Sequence, residues 1–197
     1  MSAVVRSGAW LGAAMLLALA SLVSSAWAQD RGIPIIPAQG TVQVAFPPWD
    51  DAETLLLETL RHAKREILVQ AYLLTSRPIA SGLIAARQRG LMVSVLADAR
   101  QHADNPTSLL RSLADQGIPV WLETRYRNAH NKIMIIDDGT KDVVVVTGSY
   151  NFTRSAQRTN SENLLLIRGH PELASRFRKN WERHRTQAIE LDSAGAR

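Results

Sequence analysis

Ala129-His130-Asn131-Lys132-Ile133-Met134-Ile135-Ile136-Asp137 places an imidazole and an ammonium two residues apart at the head of an apolar run. A short unbroken apolar run suits a strand covered on both faces, and residues i and i+2 of a strand share a face. His130 and Lys132 therefore point together, and Asn131 points away. Neutral imidazole is a competent nucleophile near pH 7, and a nearby ammonium neutralises a phosphodiester oxygen that would otherwise repel attack. Nothing in that chemistry requires a metal. Five strand residues at about 3.3 Å each carry Asp137 roughly 16 Å beyond Lys132, onto the opposite face. Its expected role is structural, in an ion pair or as a cap of the turn through Asp138-Gly139.

A second apolar run, Val143-Val144-Val145-Val146, follows a polar hairpin and ends at Gly148-Ser149-Tyr150-Asn151-Phe152. Gly148 is expected to turn the backbone sharply, aiming Ser149 and Asn151 at the same anion; the alternative is a turn with no further role. Further strands are expected at 42–46, 67–73, 92–97, 120–122, 132–136, 143–147 and 164–167. Helices are expected at 52–65, 79–89, 107–116 and 171–185, the last with Leu173, Phe177 and Trp181 at helical spacing. The pattern predicts an α/β fold, a mixed sheet flanked by helices on both faces in a single domain, with the motif at a strand beginning. Trp121, Phe177 and Trp181 read as core. Tyr126, Tyr150 and Phe152 read either as stacking platforms for a base or as loop packing.

The pattern His-x-Lys-x4-Asp followed by Gly-Ser-x-Asn, together with Asn160-Ser161-Glu162-Asn163, resembles the phospholipase D superfamily, and its small single-motif bacterial endonucleases in particular. The resemblance spans about residues 42–185. It implies that His130 is the nucleophile, that Lys132 and Asn151 bind phosphate, that Ser149 adds a contact, and that Glu162 orients His130. It also implies two histidines per site, one attacking phosphorus and one protonating the departing oxygen. His62-Ala63-Lys64 is the nearest echo of the motif, but neither an aspartate nor Gly-Ser-x-Asn follows it, so it reads as a helix end. The second histidine is therefore expected from a partner copy across the two-fold interface of a homodimer.

Residues 1–28 carry one basic residue, Arg6, and an apolar run from Ala9 to Val23 before Ala26-Trp27-Ala28. They read as a secretory signal, with an uncleaved anchor as the alternative, so a periplasmic or secreted protein without stable membrane association after processing is expected. Residues 29–40, rich in proline, read as an extended leader. Residues 41–187 read as the catalytic domain, and 188–197 as a disordered tail. The chain has no cysteine, and its five histidines show no paired helical spacing. This composition excludes disulfides and cysteine-ligated zinc, and no metal or cofactor is expected. A formal net charge of +5 favours polyanions. Arg125 and Arg127 precede His130, while Arg154 and Arg158 follow Asn151, so a nucleic-acid backbone is the expected substrate. A phospholipid diester and a catalytically inert nucleic-acid-binding role are the alternatives.

Overall fold

The computed structural model describes residues 32–192. Its elements run β1 (Thr41–Ala45), α1 (Ala52–His62), β2 (Glu66–Ala71), α2 (Arg77–Gln88), β3 (Met92–Asp98), α3 (Ala99–Asp104), α4 (Leu110–Asp115), β4 (Val120–Glu123), β5 (Lys132–Ile136), β6 (Val144–Gly148), α5 (Arg154–Arg158), β7 (Leu164–Arg168), α6 (Pro171–Arg185) and β8 (Ile189–Glu190). Two units divide the chain, Met1–Ile35 and Ile36–Arg197. Of the first, only the irregular stretch 32–35 is described, so the secretory-signal assignment lies outside the described residues.

The second unit is a single domain built on an eight-stranded mixed sheet in the order β1-β7-β6-β5-β2-β3-β4-β8. Strands β2, β3 and β4 run parallel; β5 is antiparallel to β2, and β6, β7 and β1 continue antiparallel beyond it. All five residues of β5 are buried, because the sheet is covered on both faces. Met134 and Ile136 join Leu56, Leu60, Ile79, Leu83 and Leu113 on one side. Ile133 and Ile135 join Ala174 and Trp181 beneath α6 on the other, with Trp121 and Phe177 packed alongside.

Helix starts follow their capping chemistry. Asp51 accepts from Thr54 N at 3.0 Å, and Ser76, ahead of Pro78, accepts from Ile79 N. The helix expected over 107–116 begins only at Leu110, because Asn105 Oδ1 holds Thr107 N and Thr107 Oγ1 in a turn through Pro106 and Leu109 N donates to Leu74 O. Residues 188–192 are not a disordered tail: β8 pairs with β4, and Leu191 N donates to Val120 O. The physical reason is the open edge of β4, whose unpaired backbone groups accept one more short strand. Residues 193–197 lie outside the described part.

Candidate active site

Antiparallel pairing sets the start of β5, the end of β6 and the start of β7 along one edge of the sheet. His130 stands just before β5, Ser149 just after β6, and Glu162 just before β7. The register Gly148↔Leu164 brings the last two side by side. The ends of β2, β3 and β4 share this edge and contribute Tyr72, Asp98 and Glu123.

His130 and Lys132 do not share a strand face as expected, because β5 begins only at Lys132. They meet instead around Tyr72. The Tyr72 and His130 rings lie 4.3 Å apart between centroids, tilted by 56°, and Lys132 Nζ sits 4.8 Å from the Tyr72 centroid. Lys132 Nζ also donates to His130 O at 2.7 Å, and Tyr72 N donates to Asn131 O at 2.8 Å. Asp98, 1% exposed, fixes the loop from below: its Oδ2 accepts from Ala129 N at 2.6 Å and its Oδ1 from Gln101 N at 2.8 Å. Desolvation, aided by the Lys132 charge, holds the His130 pKa below its ordinary value, against the pull of Asp98 and Glu162. Burial lowers Lys132 to about 8, with the Glu162 charge opposing. The pair is thus a neutral imidazole beside an ammonium at neutral pH.

Gly148 adopts φ +139°, and a Cβ there would lie 2.3 Å from Asn163 O. Glycine is needed less for a sharp turn than for this close approach of β6 to the β7 entry. The approach lets Ser149 Oγ donate to Glu162 Oε2 at 2.5 Å and accept from Asn163 N at 3.0 Å. Asn160 Nδ2 donates to the other Glu162 oxygen at 2.9 Å. Both carboxylate oxygens of Glu162 are therefore engaged by Ser149 and Asn160, and Glu162 acts on His130 through its charge. Asn151 Oδ1 is buried with no hydrogen-bond partner among the described residues. Tyr150 and Phe152 are fully buried, which removes them as stacking platforms; their rings fill the core. Tyr126 is 41% exposed and stacks on the His184 imidazole, at 5.1 Å between centroids.

Residues 56–185 match the family model described as "Cardiolipin synthase, PLD-like domain". A protein of Rickettsia prowazekii (strain Madrid E) named phospholipase D is 34% identical over 149 residues, which cover 76% of this chain and 70% of that protein. The chain belongs to the phospholipase D superfamily. The mitochondrial cardiolipin hydrolase of Xenopus laevis is 28% identical over 150 residues, covering 76% of this chain and 69% of that one. The crystal structure of Nuc from Salmonella typhimurium, a phospholipase D family member, superposes with a TM-score of 0.73 at 32% identity, over 79% of this chain and 100% of Nuc. The mixed sheet with flanking helices is thus the phospholipase D-like fold.

Within this superfamily pattern, the aspartate of the motif lies at the far end of β5. Asp137 adopts φ +55°, is 3% exposed, and accepts from three backbone amides: Lys64 N at 2.8 Å, Arg65 N at 2.7 Å and Glu66 N at 3.2 Å. Its carbonyl takes Thr140 Oγ1, so it closes the turn, but it forms a nest of amides rather than an ion pair. Arg125 and Arg127 are exposed in the loop ahead of His130, and Arg154 and Arg158 are exposed on α5. Sequence reasoning missed Tyr72 and Asp98. In the sequence Tyr72 is one more residue of an apolar strand, and Asp98, at a strand end before a helix, carries an N-cap signal that could have found it. Among the described residues, no group of three or more His, Cys, Asp or Glu could hold a metal ion, and no helix is long and apolar enough to cross a membrane.

Proposed function

We propose that the protein is a metal-independent endonuclease that cleaves DNA, and RNA by the same chemistry, through a covalent phosphohistidine on His130. The imidazole nitrogen forms a bond to phosphorus as the P–O bond to the departing nucleoside oxygen breaks. That oxygen takes a proton from a second imidazole. Water, deprotonated by the same second imidazole, then attacks phosphorus, breaks the P–N bond and releases His130. Lys132 and the Asn151 amide donate to the non-bridging oxygens, and the Ser149–Glu162 pair adds a hydroxyl contact and balances the imidazolium charge.

The second imidazole comes from a second copy of the chain. His62 Nδ1 pairs with Glu58 O and His170 caps α6, both at the far end of the sheet from His130. His102 is engaged by Ser108 Oγ at 2.9 Å, and His184 by Glu123 at 2.5 Å. Val42 and Val44 on β1 and Phe46 and Trp49 just after it are exposed, and Glu162 N donates to Pro47 O in this same segment. This apolar surface, continuous with the site, suits the partner copy.

The observation that carries the nuclease reading is the exposed arginines on both sides of His130. The phospholipid-diester reading is supported by exposed Phe46 and Trp49 and by relatives named phospholipase D and cardiolipin hydrolase. Cleavage of plasmid DNA in excess EDTA tests the proposal, with His130→Ala prepared identically. Cutting by the unsubstituted protein alone is expected. No cutting, with hydrolysis of phospholipid vesicles instead, would replace this reading with the lipid one.

A further inference from the structure

A cleft of about 740 Å³ opens between the start of α2, the 106–109 turn and α5. Arg77, Arg154 and Arg158 line it, with Glu53 as its carboxylate and Thr107 and Ser108 among its hydroxyls. All three guanidinium groups belong to exposed residues, and none enters an ion pair within 4 Å among the described residues. Arg158 lends part of its field to Asp51, outside the cleft. Glu53 is engaged by the Ser76 hydroxyl at 2.6 Å, so one hydrogen-bonded carboxylate faces three guanidiniums. An anion therefore finds a net positive cleft lined by guanidinium donors.

The cleft lies close enough to the reacting centre for one strand to reach both. Thr75 is three residues from Tyr72, which touches His130, and Arg154 is three residues from Asn151, so each lies within about 10 Å of a site residue. The two segments are tied together, since Thr75 N and Ser76 N both donate to Phe152 O, at 3.0 and 2.9 Å. A nucleic-acid strand rises about 3.4 Å per nucleotide, so about 10 Å covers roughly one to three steps.

We infer that this cleft is a subsite for a non-scissile phosphate of a polynucleotide, with Arg77, Arg154 and Arg158 as its ligands. The inference rests on the nuclease reading and extends it: the enzyme grips a polymer at two phosphates, the reacting one at His130 and a neighbour here. An acyl chain gains nothing from three guanidiniums, whereas a second backbone phosphate pairs with them.

The test is the length dependence of kcat/KM on a dinucleotide with one phosphate, a tetranucleotide and a 12-mer. For the unsubstituted protein, kcat/KM is expected to rise at least tenfold from the dinucleotide to the 12-mer. Arg77→Ala and Arg154→Ala are each expected to remove most of that rise while affecting the dinucleotide far less, and to reduce the salt dependence of 12-mer binding by about one phosphate contact each. Arg77→Lys should restore part of the rise, and thermal melts of each variant verify folding. An unchanged length dependence in the folded variants would overturn the subsite and leave the nuclease intact. Hydrolysis of phospholipid vesicles with no turnover of any oligonucleotide would overturn the nuclease reading and the subsite with it.

Discussion

Tyr72 gathers the two nitrogen groups of the site, since its ring lies against both the His130 imidazole and the Lys132 ammonium. Burial sets both titrations. His130 is held below its ordinary pKa, which keeps it neutral and nucleophilic into mildly acidic solution; Lys132, lowered to about 8, keeps its charge at neutral pH and loses it above. The expected kcat/KM profile therefore rises as pH increases through a value below the usual histidine pKa, where the nucleophile loses its proton, then declines as the protonated second imidazole is lost, with a further fall above about pH 8, where the ammonium deprotonates. A profile flat to about pH 10 would contradict the Lys132 assignment. Asp98 acts one step removed, through Ala129 N–H, as a positioning residue. Asp98→Ala frees the backbone next to the nucleophile and should lower kcat by about tenfold or more with little change in KM, with Asp98→Asn, which retains one acceptor, in between. An equal loss in kcat and in folded fraction would instead mark Asp98 as a purely structural cap.

Strand β5 has the site at one end and a structural anchor at the other. The Asp137 carboxylate gathers the amides of Lys64, Arg65 and Glu66, fixing where α1 hands over to β2. Asp137→Ala leaves those donors without their acceptor, and should cost about 2–4 kcal/mol of stability from hydrogen bonds to a charged group. It should leave kcat/KM per folded molecule near that of the parent; a selective loss of turnover in a protein of unchanged melting temperature would mean that the aspartate serves the chemistry. The separation of these roles was legible in the sequence, because strand rise alone sets Asp137 far from Lys132. Runs of apolar residues made β5 legible to the residue, and helical spacing with Pro171 at the start did the same for α6. The short elements α3, α5 and β8 were not legible: five or six residues carry no full period of a hydrophobic pattern, and a two-residue strand exists only because the β4 edge is there to receive it. For the same reason the site was readable as a set of residues and not as an assembly. The contacts Tyr72–His130, Asp98–Ala129 and Ser149–Glu162 join segments that the sequence keeps apart by 13 to 58 positions.

For the whole molecule, the proposed chemistry needs two imidazoles, and His130 supplies one of them per chain. If the partner copy supplies the other, each site is a property of a pair, and activity depends on who is paired with whom. Mixing the unsubstituted protein with a ninefold excess of His130→Ala, after exchange has equilibrated, leaves about one in ten active chains with an active partner, so activity per active chain should fall about tenfold. Self-sufficient protomers would instead keep full activity per active chain at every mixing ratio. The apolar surface beside the site gives an independent handle on the same pairing. Phe46→Ser with Trp49→Ser removes the large exposed side chains without touching His130, Lys132 or Glu162, and should shift sedimentation toward the monomer and make activity steeply dependent on protein concentration. A monomer that stays fully active at nanomolar concentration would show that the second proton donor lies within one chain. His184, engaged by Glu123 at the same end of the sheet, would then be the imidazole to substitute next.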